Sequence, residues 1–213
     1  MAAPPEHKRR PRGNREQTRR EIVEAATAVF AAHGSTNGSL AEVGERVGMT
    51  HAGVLHHFGS KTNLLLEVIR ARDRADLDEI SRETIPEGED LFAHLMRTIR
   101  HNQARPGIVQ AYAVLSAESV TTDHPAKPYF TQRFDQLRQD IAGALRQMAS
   151  EKALVGEIDD ETIEQASCAL VGAMDGIQNQ WLLAPDAVDL VGTTRFVMNA
   201  ILERTLGSPH DQQ

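Results

Sequence analysis

The chain has 213 residues, of which 40% are hydrophobic, 25% charged and 4% aromatic. This is the composition of a globular chain long enough to bury roughly 70% of its unfolded surface, and the scarcity of aromatic side chains counts against a β-sandwich. The single cysteine, Cys168, excludes an intrachain disulfide framework; with no apolar run near the ~20 residues of a membrane helix and no apolar stretch after the basic start, a cytoplasmic protein without membrane contact is expected.

The net charge of −7 is unevenly spread. Residues 1–70 carry ten Lys/Arg against seven Asp/Glu, and residues 71–213 carry thirteen against twenty-three. A basic head on an acidic body points to a head that meets a polyanion, the alternative being a solvated basic tail.

Residues 1–12, with Pro4, Pro5 and Pro11, read as a disordered basic arm. From Arg15 to His33 the positions Ile22, Ala25, Ala26, Val29 and Phe30 form a helical face, which Gly34 stops. Ser39 is placed to cap a second helix, with Glu42 completing a capping box and Leu40, Val43 and Val47 facing inward as far as Gly48. Thr50 caps a third helix, His51 to His57, ended by Gly59. Ser60 opens a long fourth helix through Leu64, Leu65, Val68 and Ile69 to about Arg82. The chain breaks at Pro86–Gly88. Further helices are predicted over Asp90–His101, Pro106–Glu118, Lys127–Lys152, Asp160–Leu183 and Asp186–Leu206, the last two reversed by Pro185 into an antiparallel pair. The fold class is all-α. Residues 13–59 form a three-helix, helix-turn-helix head and residues 60–213 a larger helical domain.

A helix-turn-helix places the first turn of its last helix against base edges in the major groove of double-stranded DNA. Here that turn holds Thr50, His51, Ala52 and Gly53, two of them small enough for close approach. His56, His57 and Lys61 lie toward the phosphates. Ser39 offers a hydroxyl and a helix N-terminus, and Arg15, Thr18 and Arg19 reach the flanking backbone. Ser39 and Thr50 also serve as caps, and His56–His57 also read as surface histidines.

The run Gly38-Ser39-Leu40-Ala41-Glu42-Val43-Gly44-Glu45-Arg46-Val47-Gly48-Met49-Thr50-His51-Ala52-Gly53-Val54-Leu55-His56-His57-Phe58-Gly59-Ser60-Lys61, with the helix before it and Leu64-Leu65 after it, resembles the tetracycline-repressor (TetR) family of bacterial transcription regulators. The resemblance implies that His57 and Lys61 touch phosphate and that Thr50, His51 and Gly53 touch bases or the adjoining backbone. Two residues depart from the family pattern. Leu55 stands where a phosphate-bonding tyrosine is usual, and Gly44 replaces an alanine at a helix cost of up to ~1 kcal/mol.

No HExxH, CxxC, phosphate loop or nucleophile elbow is present, so neither a cofactor nor enzymatic activity is expected. His94, His101, Asp123 and His124 are the one loose set that a metal site could draw on, and no metal is expected there. Cys168, among Ala166, Ala169 and Leu170, reads as an inert core thiol. Ala169, Gly172, Ala173 and Gly176, with Val197 and Ile201, suit close packing of the last two helices across a two-fold axis, and Leu170, Ile177 and Trp181 could add apolar area; the alternative is packing within one subunit. Phe92, Met96, Ile99, Tyr112, Leu115, Phe130, Phe134, Met174, Gln178 and Trp181 could line an apolar pocket with a few polar handles, or simply fill a core. The reading is then a homodimer that binds a palindromic DNA operator, represses transcription, and is released by a small apolar effector acting through the fourth helix. The competing reading is a helical ligand-binding or scaffold protein without sequence-specific DNA binding.

Overall fold

The computed structural model describes residues 12–78, 86–152 and 158–207. Its described residues form nine helices and no strand. The head holds α1 (Arg12–Asn37), α2 (Leu40–Arg46) and α3 (His51–Phe58). The long α4 (Lys61–Asp78) leads to α5 (Gly88–Gln103), α6 (Pro106–Glu118), α7 (Lys127–Glu151), α8 (Asp160–Leu183) and α9 (Leu190–Leu206). The predicted arm lies outside the described residues up to residue 11, and Arg12 already opens α1.

The predicted caps form. Ser39 Oγ accepts from Glu42 N and Thr50 Oγ1 from Gly53 N, each at 3.1 Å. Ser60 Oγ accepts from Asn63 N, also at 3.1 Å. The capping box, however, is only half made. The Glu42 carboxylate turns to Arg46 (3.0 Å) and His33 (3.5 Å) instead of back to Ser39. Gly34 breaks the regular backbone of α1 at φ 72°, and helical residues resume beyond it to Asn37. The last helix starts four residues later than predicted. Ala187 N and Val188 N both bond Ala184 O at 3.0 Å, so residues 184–188 form a turn, and Asp189 caps α9 through Gly192 N (2.9 Å).

Three apolar clusters hold these elements. The first runs from the head, where Ile22, Phe30, Val43, Val54 and Leu64 are buried, through Val68 and Ile69 on α4 to Ile108, Tyr112 and Phe130 in the body. Head and body therefore share one core. The second packs Ile163, Leu170 and Met174 of α8 with Met198 and Leu206 of α9, and with α5 and α7. In the third, Ile177 and Trp181 meet Leu190 at the other end, so α8 and α9 run antiparallel.

The joint between head and body depends on one close approach. A Cβ at Gly107 on α6 would lie 2.3 Å from the carbonyl oxygens of both Phe30 and Ala31 on α1. Both contacts are to backbone, which cannot swing aside. Gly107→Ala is expected to cost about 1–3 kcal/mol, the usual penalty for overpacking. Urea unfolding checks this, and an unchanged midpoint would show that α6 can back away from α1 freely.

Candidate DNA-reading head and effector cavity

The helix-turn-helix surface is set by what holds α3 in place. Val54 and Phe58 are buried, and Leu55 packs against the same core. The side chain that replaces the family's tyrosine thus anchors α3. Arg19 crosses from α1 to donate to His57 O, and its guanidinium stacks over the Phe58 ring at 4.3 Å. These contacts leave Thr50, His51, Ala52 and His56 exposed, with Gly53 and His57 half-buried. Lys61 is half-buried with Nζ 5.7 Å from the Phe30 ring centre, and burial lowers its pKa. Ser39 and Arg15 are exposed, whereas Thr18 is buried at 8% exposure.

Gly44 has a local reason. A Cβ there would meet Met49 O at 2.6 Å, in the turn that joins α2 to α3. The helix propensity lost at Gly44 is offset by room for that turn, whose Met49 N bonds Gly44 O at 2.8 Å.

In the body, α4, α5, α7 and α8 enclose a cavity of about 450 Å³, with Tyr112 of α6 in its wall. Such a volume suits a small organic molecule. Of the ten residues predicted to line a pocket, Ile99, Tyr112, Met174 and Gln178 do so. Phe92 and Met96 lie in the second packed cluster, Leu115 and Phe130 in the first, Phe134 between the two, and Trp181 in the third. Leu91, Leu95 and Leu137 supply other apolar wall, but much of the lining is charged. The wall is therefore more charged than an apolar pocket with a few polar handles.

Asp73 organises that charge. Its Oδ2 accepts from Tyr129 Oη (2.7 Å) and Arg133 Nη1 (2.6 Å), and its Oδ1 from Arg72 Nη2 (2.8 Å). Burial alone would raise the Asp73 carboxyl, but Arg133, Arg72 and the Tyr129 hydroxyl outweigh it and hold it below its ordinary value. Burial and the Asp175 carboxylate push Tyr112 up to about 12, so it is a neutral phenol. Burial also raises Asp175, in spite of Arg133 and Arg72 nearby. Its two hydrogen bonds are long, 3.4 Å from Tyr112 Oη and 3.5 Å from Gln178 Nε2. Asp76 pairs with Arg105 of the α5–α6 corner.

The sequence singled out none of these carboxylates. On α7, Tyr129, Arg133, Gln136 and Asp140 recur at helical spacing and all reach the cavity wall. A mixed polar stripe on a helix otherwise packed inward was the available signal.

The other candidates fall as follows. His101 faces Asp76 at 3.8 Å, while His124 and Asp123 line a surface depression at the α6–α7 turn. No cluster of three or more metal-ligating side chains occurs among the described residues. Ala169 and Gly172 are exposed, and Ala173, Gly176, Val197 and Ile201 are half-buried. Cys168 is exposed beside them, which corrects the reading of a core thiol. Leu170, Ile177 and Trp181 point inward and are buried within the subunit. The face carries instead Phe196 on α9, 74% exposed, and Leu183 at the end of α8, 86% exposed.

A depressed carboxyl stabilises the fold above its unfolded pKa and loses that contribution as pH falls through its folded value. Asp73→Asn leaves Arg72 and Arg133 without their anion and is expected to cost on the order of 3 kcal/mol at pH 7. The gap from the parent protein should close as pH drops below the ordinary carboxylate range. Urea unfolding across that range checks it, and equal stability at pH 7 would remove Asp73 as the organising charge.

Comparison with known proteins places this geometry. The profile for bacterial regulatory proteins of the tetR family matches residues 22–68, from mid α1 into α4. The HTH-type transcriptional regulator TtgR of Pseudomonas putida is 27% identical over 218 residues, which span 94% of this chain and 97% of TtgR. The HTH-type transcriptional repressor BepR of Brucella suis is 24% identical, over 92% of this chain and 95% of its own length. Among solved structures, SmeT, the repressor of the Stenotrophomonas maltophilia multidrug efflux pump SmeDEF, has the same fold with a TM-score of 0.64 at 21% identity, covering 90% of this chain and 91% of SmeT. SmeT is also known in complex with triclosan, and that structure matches with a TM-score of 0.61 at 20% identity over 91% of this chain and 98% of that one. The matched head, relatives aligned along almost the whole chain and the shared architecture agree: the head is similar to that of bacterial regulatory proteins of the tetR family, and the chain as a whole is similar to HTH-type transcriptional regulators.

Proposed function

We propose that this protein is a ligand-responsive transcriptional repressor, not an enzyme, that binds a palindromic operator as a homodimer and lets go when a small molecule fills the body cavity. One observation carries the reading. The cavity takes Arg72, Asp73 and Asp76 from α4 and Tyr112 from α6, and these two helices also build the head's core. Whatever reshapes the cavity wall bears on the elements that position α3.

In this reading residues 13–59 are the DNA-binding head. His51 and Thr50 read base edges, with Ala52 and Gly53 admitting the groove. Arg15, Ser39, His56, His57 and Lys61 hold phosphates, and Thr18, next to the α3 contact of Arg19, helps to set the first helix on the backbone. The two-fold axis passes beside α8 and α9. Support comes from the exposed Phe196 and from Gly172 and Gly176, where an added Cβ would meet only open space. One short helix contacts too few bases to be specific, so operator reading calls for the pair. No described helix is long and apolar enough to cross a membrane, and DNA reading places the protein in the cytoplasm.

Selection from a random double-stranded DNA library at ~0.15 M salt tests the proposal. The expected result is a palindrome whose half-sites lie about one helical turn apart. No enrichment by the folded protein would favour a helical ligand-binding or scaffold protein instead. On the selected site, Lys61→Ala should weaken all sequences about equally and reduce the salt slope by about 1. His51→Ala should instead relax preference at one position, by about 1–3 kcal/mol. Competition binding against single-base variants separates the two, and identical behaviour of both variants would overturn the docking.

A further inference from the structure

We propose that the cavity takes an organic cation, an amine with an apolar body whose ammonium group is held by Asp175 and Asn102. The inference rests on the cavity being the effector site and goes on to specify the chemistry that fills it.

Counting donors and acceptors in the wall leads to this class. The arginines do not call for an anionic ligand, because Arg72 and Arg133 both converge on Asp73 and the positive charge left over faces two further wall carboxylates, Asp175 and Asp140. Asp175 forms no ion pair among the described residues, and its two hydrogen bonds are both at the long limit. Asn102 is buried, with 5% of its surface exposed, and its Oδ1 has no hydrogen-bond partner. The orientation of that amide follows from its neighbours. Asn102 Nδ2 donates to Gln178 Oε1 at 2.8 Å, which turns Gln178 Nε2 toward Asp175. The hydrogen bonds thus run in one direction, from Asn102 through Gln178 to Asp175, and what remains open is a carboxylate and a carbonyl oxygen on either side of Gln178. A buried acceptor without a donor costs about 1–3 kcal/mol, so a site that leaves it open calls for a donor from outside. Asp140 adds a second such acceptor, Oδ2, while its Oδ1 is held by Gln136 (2.9 Å). Arg133 Nε is a wall donor that also makes no hydrogen bond, but its guanidinium is already paired with Asp73. Leu91, Leu95, Ile99, Leu137 and Met174 supply apolar wall for the rest of the molecule.

An ammonium ion fits both requirements. It brings three N–H donors and the charge that a buried carboxylate lacks. A neutral ligand would satisfy Asn102 but leave Asp175 without a close ion pair, and a carboxylate ligand would place a second anion beside it.

The test uses three probes of equal length, 4-phenylbutylamine, 4-phenylbutan-1-ol and 4-phenylbutanoate, titrated calorimetrically into the full-length protein at pH 7. The amine is expected to bind at least tenfold more tightly than either of the others. Asp175→Asn, which keeps the shape and the Tyr112 contact, should lower amine affinity at least tenfold and leave alcohol affinity within about threefold. Should that variant fail to fold, Asp140→Asn with the same probes gives a smaller loss confined to the amine. Equal binding of amine and alcohol, tighter binding of the carboxylate, no binding by any of the three, or an Asp175→Asn variant that still prefers the amine would each overturn the proposal. Repeating the titration with the selected operator present separates the two levels. Amine binding that leaves operator affinity unchanged supports the amine site and removes the effector reading. Operator release by the alcohol and amine alike keeps the effector reading and removes the amine site.

Discussion

The structure depends on the contact between α1 and α6. Gly107 lets α6 sit against the carbonyl oxygens of Phe30 and Ala31, closer than any side chain would permit. Gln110, one turn on, reaches the Gly34 bend of the same helix. With the gap closed, the head's apolar residues and those of α6 merge into one cluster. A three-helix head of about fifty residues has little core of its own. Sharing a core with the body stabilises it, and it also ties the head's position to the body's packing.

The second determinant is electrostatic. Helix α4 leaves the head core at Leu64 and Leu65 and carries Arg72 and Asp73 to the cavity about 12 Å further on, at 1.5 Å per residue. There the Asp73 carboxylate gathers Arg72 from its own helix and Arg133 and Tyr129 from α7. A buried charge network of this kind adds less net stability than an apolar core of the same size, yet it is costly to break and admits few arrangements. It fixes the register of α4 against α7. The arginine stacked over Tyr112 (5.0 Å from Arg72) extends the same network to α6. The two helices that reach the head are thus held to the cavity wall by directional bonds, whereas the head itself is held mainly by non-directional packing.

Much of this was legible in the sequence and some was not. Helix α6 and helix α8 fall where their helical patterns put them, because Pro106 and the apolar spacing act locally. The three caps Ser39, Thr50 and Ser60 are local for the same reason. The start of α9 was misplaced, since the turn after Pro185 is set by backbone bonds to Ala184 that no residue type announces. The cavity was the hardest feature to read. Hydrophobicity reports burial, and Phe92, Phe130 and Trp181 are buried, but in packed clusters. The wall is made partly of Asp73, Arg133 and Asp175, and a charge on a helix usually marks the solvated face. Only the tertiary arrangement turns those charges inward. Cys168 failed in the opposite sense, its apolar neighbours suggesting burial on a helix that turns this face outward.

A ligand shifts the spacing of two heads only by the difference in its affinity for the two spacings. Moving the equilibrium from 1:99 to 99:1 requires about 5.5 kcal/mol of such difference. One charge-assisted hydrogen bond supplies about 1.5–3 kcal/mol, so a contact to Asp175 alone is too small to switch the protein. That contact also lies on α8, which packs within the body and contributes nothing to the head's core. Holding the cation on α8 fixes the ligand, and switching must come from where the rest of the ligand presses. The wall that can respond is Arg72, Asp73 and Asp76 on α4 and Tyr112 on α6. Tyr112 is central because it donates to Asp175, lies under Arg72, and sits five residues along α6 from Gly107. A ligand that takes over Asp175 competes for the Tyr112 bond, and the strain passes along a rigid helix to Gly107, where α6 meets the backbone of α1.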